Sequence, residues 1–254
     1  MPIALLGYGR FGKAFAQLLH AAGHDIAVFD PKAEVPPAWA RTTMTKVVDG
    51  ADWIVLAMPV PRLASALQEL RPCLRAGQTV IDVGSVKEEP CRLMDELLGA
   101  EIAHVGTHPL FGPLSLERNE QPLRVVLCAS SRHPLAAEQA RSLLQSIHCE
   151  VIECDAPSHD RAMAYTHALA FFIAKALVDL GIGEDLSMAP PSFLGLANML
   201  AAVRGDAGHL FAAIQRENPH AAEARAALLD QLALIHHRLS IDEGRTLSIP
   251  GFPG

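Results

Sequence analysis

The sequence predicts an α/β chain: a doubly wound, mostly parallel sheet followed by an all-helical C-terminal domain. Three observations carry that expectation. The first half alternates short β-rich runs with helical patterns, and a glycine-rich turn joins the first strand to the first helix. From about Asp160 to about Leu239 the chain then shows long Ala- and Leu-rich helical patterns with no convincing strand.

Taken in order, the strand candidates are "IALLG", "DIAVFD", "WIVLAMP", "QTVIDVG", "EIAHVG" and "LRVVLCAS". Between the first two, Phe11, Ala14, Phe15, Leu18, Leu19 and Ala22 recur at the spacing of one helical face, and Gly23 is placed to end that helix. Strand, helix and strand make a right-handed βαβ unit in outline. The character changes after "HCEVIECDAPSHD", which divides the chain into an α/β domain over residues 1–156 and a helical domain over 157–254. In the second, Met163, His167, Ala170, Phe171, Ala174, Leu177 and Val178 trace one apolar stripe, more than a small isolated bundle needs for its own core. A homodimer formed through this half is the expectation. The most apolar stretch, "AMAYTHALAFFIAKALVDLG", is interrupted by His167, Lys175 and Asp179; it reads as a buried helix that falls short of a membrane span. The closing "SIPGFPG" is a Pro/Gly tail.

Composition narrows the function. With 28 acidic against 21 basic side chains, a formal charge of −7 and no basic block, the electrostatic footprint of a nucleic-acid binder is missing. A small-molecule substrate is the default partner. The five cysteines are odd in number, scattered and never spaced as Cys-x-x-Cys, so neither a zinc site nor a disulfide framework is indicated, and a reducing cytoplasm fits best. The opening strand-like run "PIALLGYG" has no cationic and apolar leader ahead of it, which argues against a signal peptide.

The motif "GYGRFG", Gly7 to Gly12, follows a strand and opens a helix, the context of a Rossmann-type dinucleotide site. Gly7 permits the tight turn, Gly9 lets backbone approach a pyrophosphate, and Gly12 allows close packing of helix on strand. The helix N-terminus offers free N–H groups to the phosphates, with Arg10 and Phe11 standing in the same loop. Arg10 either touches the pyrophosphate or is simply solvated. Asp30, ending the second strand, is placed to accept the adenosine ribose hydroxyls and would repel a 2′-phosphate, so NAD is preferred. Lys32, two residues on, keeps NADP open.

Two loops lie where a doubly wound sheet puts its ligands: "DVGSVKEEP", Asp82 to Pro90, and "GTHPLFGP", Gly106 to Pro113. They bring Ser85, Lys87 and His108 toward the expected nicotinamide. The ordered set "GYGRFG", "DVGSVK", "HPLFGP" and "HDRAMAY" resembles the prephenate and arogenate dehydrogenase family of tyrosine biosynthesis over nearly the whole chain. That resemblance implies NAD(P)-dependent oxidative decarboxylation of a cyclohexadienyl ring, driven by aromatisation. It makes His108 the residue that takes the proton of the ring 4-hydroxyl as hydride leaves, and Ser85 the one that holds hydroxyl and histidine in register. An imidazole suits a base near neutral pH. Lys87 either neutralises the departing carboxylate or covers the surface. His159 and Asp160 match a His-Asp pair that caps and orients the first long helix. His167 stands where some relatives carry glutamine, as a substrate contact or a satisfied core residue, and Phe171 where several carry histidine.

The sequence also departs from the family. Relatives carry two arginines where an ungapped reading of "SFLGLANMLAAVRGDAGHLFAAI" puts Leu194 and Ala202, and neither can hold a carboxylate. Arg204, two residues on, is the candidate substitute or a solvated arginine. After the histidine loop, Leu114, Ser115 and Leu116 replace a more polar run. A modified substrate, such as an amino-substituted cyclohexadienyl acid, stays open. So do a β-hydroxyacid-type dehydrogenase, which would need a lysine such as Lys175 on the first long helix, and a dinucleotide sensor without turnover.

Overall fold

Seven short runs pair into one sheet in the computed structural model, which describes residues 1–182, 184–185, 187–205 and 209–241. The strands are β1 (Pro2–Leu6), β2 (Asp25–Phe29), β3 (Trp53–Leu56), β4 (Thr79–Asp82), β5 (Ala103–Pro109), β6 (Leu123–Ala129) and β7 (Cys149–Glu153). They lie in the order β2-β1-β3-β4-β5-β6-β7. Every neighbouring pair is parallel except β5 with β6.

Helices α1 (Arg10–Ala21), α2 (Met44–Val48), α3 (Leu63–Leu70), α4 (Glu88–Leu97), α5 (Pro113–Glu117) and α6 (Pro134–Ser146) connect these strands. The period of two along β1 shows why both faces need cover: Ile3 and Leu5 join one core with Phe15, Leu19, Val105 and Leu143, while Ala4 and Leu6 join another with Leu67, Leu70 and Met94. With β2 on one side of β1 and β3 on the other, the chain changes direction across the sheet at β1. That crevice, beyond the carboxyl ends of the strands, is where an open α/β sheet binds ligands.

Two details differ from the sequence expectation. Strand β7 was not among the candidates; it is an edge strand on which Cys149 alone is fully buried, so its run carries little apolar alternation. Strand β5 continues through His108 to Pro109, because β6 pairs back along it with His108 opposite Val126. The histidine therefore sits on a strand end, held by a ladder, and not in a loop.

From Ala156 onward the described elements are helical: α7 (Ala156–Met163), a π-helical turn (Ala164–Ala168), α8 (Leu169–Asp179), α9 (Pro191–Gly205), α10 (His209–Arg216) and α11 (Ala221–Ile241). Residues Ala156–Asp179 run on as one 24-residue helix, which in length and composition, with a mean hydropathy of 1.2, reaches what a membrane span needs. Only 17% of its apolar window is buried, which corrects the expectation of a short, buried helix. Its inner face docks by small residues, Ala164, Ala168 and Ala174, and by polar bonds: Gln215 donates to the Ala168 carbonyl and Asn218 to the Asp160 carbonyl, both at 2.7 Å. Among the described residues the far half of α11 is exposed along its length, Leu229, Leu232, Leu234, Ile235 and Leu239 included. The "SIPGFPG" tail and the side chain of Ala202 lie outside the described residues.

Candidate active site

The turn between β1 and α1 is built around two close approaches. A Cβ on Gly7, whose φ is +103°, would overlap the Ala57 carbonyl, and one on Gly12 would overlap the Gly7 carbonyl. At Gly9 a Cβ would meet nothing within 4 Å. That open space lies at the start of α1, whose first turn carries no side-chain cap, so backbone N–H groups and room for a phosphate coincide. Asp30 ties the turn to β2: its carboxylate accepts the N–H groups of Tyr8 (2.6 Å), Lys32 (2.8 Å) and Ala33 (2.9 Å). Burial alone would raise its pKa, but these three bonds and the Lys32 charge outweigh it and hold the carboxyl below its usual range. Arg10 is exposed. Phe11 instead packs inward, its ring 5.5 Å from that of Phe15 and 6.2 Å from that of Phe111, so it ties α1 to the segment after β5.

The loop after β4 holds a buried ion pair. Lys87 has no exposed surface; its ammonium bonds the Asp82 carboxylate and the Thr107 carbonyl. Asp82 also accepts the Gly84 N–H at 3.0 Å, and the Thr107 hydroxyl donates to the Asp82 carbonyl at 2.6 Å. Burial pushes the Asp82 carboxyl up even with the ammonium beside it. Lys87 thus fastens β4 and its loop to β5, which corrects the expectation that it covers the surface. Ser85 lies half-buried in the same loop and makes no hydrogen bond among the described residues, so it does not hold the histidine in register here.

That work falls to His159. His108 Nδ1 lies 2.8 Å from His159 Nε2, and His159 Nδ1 lies 2.7 Å from Asp160 Oδ1. The three side chains are at most 4% exposed. Asp160 does not cap its own helix, as the sequence suggested. The cap of α7 is Asp155, whose side chain accepts the Ser158 N–H at 2.8 Å. Asp160 reaches across to the N-terminus of α4, accepting the Lys87 N–H at 2.7 Å and the Glu88 N–H at 2.9 Å. His167 completes the cluster, its ring stacked 6.1 Å from His108 and edge-on to Phe171 at 4.9 Å. Burial, with His159, Lys87 and His167 adding repulsion, holds the His108 pKa well below its usual value; burial and His159 bring His167 down to about 4. His108 Nε2 has no hydrogen-bond partner among the described residues. The site therefore offers one buried, neutral imidazole with a nitrogen to spare.

Arg204 donates to the Ile182 carbonyl at 3.3 Å, and Leu194, at one expected arginine position, is half exposed. Lys175 pairs with Asp179 on its own helix at 2.5 Å. Among the described residues no group of His, Cys, Asp and Glu is arranged to hold a metal ion.

A glycine-turn nucleotide cradle at the switch point of a mostly parallel sheet, with a buried imidazole near the carboxyl end of β5, defines a Rossmann-type nucleotide-binding chain. The family is specific. A family model described as "Prephenate dehydrogenase, nucleotide-binding domain" matches residues 23–153, about half of the chain, and the chain belongs to that family. The match includes Asp30, Ser85 and His108 and begins after the glycine turn.

Curated relatives agree. The T-protein of Haemophilus influenzae is 29% identical over 195 residues, 77% of this chain and 46% of that protein. The 4-amino-4-deoxyprephenate dehydrogenase of Streptomyces pristinaespiralis is 31% identical over 185 residues, 70% of this chain and 60% of that protein. The chain spans about half the length of the curated relatives it matches. Among solved structures, prephenate dehydrogenase from A. aeolicus in complex with hydroxyphenyl propionate and NAD+ superposes with a TM-score of 0.74 at 21% identity, over 94% of this chain and 90% of that one. That likeness is one of fold.

Proposed function

We propose that this chain binds NAD and oxidises a cyclohexadienyl acid of the prephenate or arogenate type with loss of carbon dioxide, as a step toward tyrosine. The observation that carries the reading is His108: buried, neutral, and bare at Nε2 near the carboxyl end of β5. The residues of the first βαβ unit fit the cofactor. Gly9 opens onto free space, the uncapped start of α1 suits a pyrophosphate, and the Asp30 carboxylate suits ribose hydroxyls and disfavours a 2′-phosphate. When bound, NAD supplies the hydride acceptor. His108 Nε2 accepts the proton of the ring hydroxyl, so that charge leaves the oxygen as the ring becomes aromatic.

A second reading, an amino-substituted ring, is supported by the likeness to the Streptomyces pristinaespiralis protein and by Leu194 at an expected arginine position. We further propose a homodimer joined through the exposed apolar half of α11 and a reducing cytoplasmic setting, which the five free thiols suit. The test is absorbance at 340 nm as purified protein meets NAD or NADP with prephenate, arogenate or the 4-amino analogue. Reduced cofactor with one of them supports the reading and names the substrate. Silence with all three, when calorimetry shows that NAD binds, refutes it in favour of a dinucleotide sensor.

A further inference from the structure

We propose that His159 and Asp160 form a positioning pair that fixes His108 in the tautomer with Nε2 bare, resting on the reading of His108 as the base. The order of hydrogen bonds decides this. The Asp160 carboxylate can only accept, so the 2.7 Å contact requires the proton on His159 Nδ1. With His159 neutral, its Nε2 carries a lone pair, and the 2.8 Å contact to His108 then requires the proton on His108 Nδ1. The lone pair of His108 is left on Nε2, the nitrogen without a protein partner. Reversing either imidazole would set two N–H groups or two lone pairs against each other inside a site nearly sealed from water.

The same chain serves the step itself. As the ring O–H bond breaks and the Nε2–H bond forms, His108 becomes an imidazolium whose Nδ1–H already points at His159, and the Asp160 carboxylate lies one imidazole further on. The other ionisable groups facing the cluster are His167, stacked on His108, and the Lys87 ammonium, which is committed to Asp82. Asp160 is also the junction between the two halves of the chain. Its side chain holds the first N–H groups of α4 and its carbonyl is held by Asn218, while His220 Nε2 reaches Glu88 Oε1 at 2.9 Å. The base is thus set in its working tautomer only when the helical part is seated on the sheet. The sequence motif showed the His-Asp pair but not its target, 51 residues away.

The test uses the full-length protein. In 15N spectra of histidine-labelled protein, assigned by loss of signals in His108→Asn and His159→Asn, His108 should show a protonated Nδ1 and an unprotonated Nε2 at pH 7. A protonated Nε2 overturns the assignment whether or not the protein turns over any substrate, which separates this proposal from the functional reading. In turnover, His159→Phe should lower kcat about 10²-fold with the Kd for NAD unchanged. His159→Gln, whose amide oxygen can accept the Nδ1–H, should recover about tenfold of that loss and shift the acid limb of the kcat–pH profile. Equal kcat in His159→Phe and the parent, or no difference between Phe and Gln in rate and pH profile, would reduce the pair to packing.

Discussion

Replacing Lys87 by methionine tests the reading of the loop after β4 as a fastener. The side chain is fully buried and its ammonium is shared between Asp82, 3% exposed, and the Thr107 carbonyl. Methionine keeps most of the stem but leaves a carboxylate buried without its countercharge. Breaking a buried pair from one side costs about 3–5 kcal/mol. For a chain of this size about 1 kcal/mol moves Tm by roughly 2–4 °C, so Lys87→Met should melt about 6–20 °C lower in differential scanning calorimetry. The double variant Asp82→Asn/Lys87→Met removes both charges and should recover much of the loss, because an unpaired buried charge is what destabilises the single variant. A single variant that melts within about 2 °C of the parent would refute the argument and return Lys87 to a replaceable surface role.

Other outcomes follow from the same geometry. Gly9→Ala should fold with the stability of the parent and bind NAD about tenfold or more weakly by calorimetry, since its Cβ enters the space assigned to the phosphate; Gly12→Ala should lose stability instead, because its Cβ meets the Gly7 carbonyl. Below pH 6.5 an unfolded chain takes up protons that half-buried His167, with its pKa of about 4, and buried His108 refuse, so stability present at neutral pH is lost between about 6.5 and 4. His167 alone accounts for about 2 kcal/mol by pH 5, and a urea midpoint that held constant or rose on acidification would contradict this. Leu232→Glu/Leu239→Glu should turn a dimer into a monomer in sedimentation equilibrium; an unchanged mass would place the contact elsewhere.

The parts legible in sequence are those written over short distances. Periodicity marked the face of α1 and the strands through β6, and the glycine spacing with Asp30 marked the cradle, because each involves residues that a single βαβ unit brings together. The tertiary ladder and the polar networks were not legible. β5 looked finished before His108 because pairing with a distant β6 extends it, and β7 carries too few buried positions to show alternation. Lys87 read either as a countercharge for the departing carboxylate or as surface cover; its burial was not legible, because only Asp82 and Thr107, set opposite it by the fold, make burial tolerable. Asp160 read as a cap, correctly in kind, but for α4 and not for its own helix.

The central claim is that His108 is the base. Its most direct test is His108→Asn, which keeps a hydrogen-bonding side chain and removes the proton acceptor, compared with the parent for kcat on the substrate found active and for NAD affinity by calorimetry. The account predicts a kcat loss of about 10²-fold or more with NAD binding intact. Unchanged turnover would remove His108 from the chemistry.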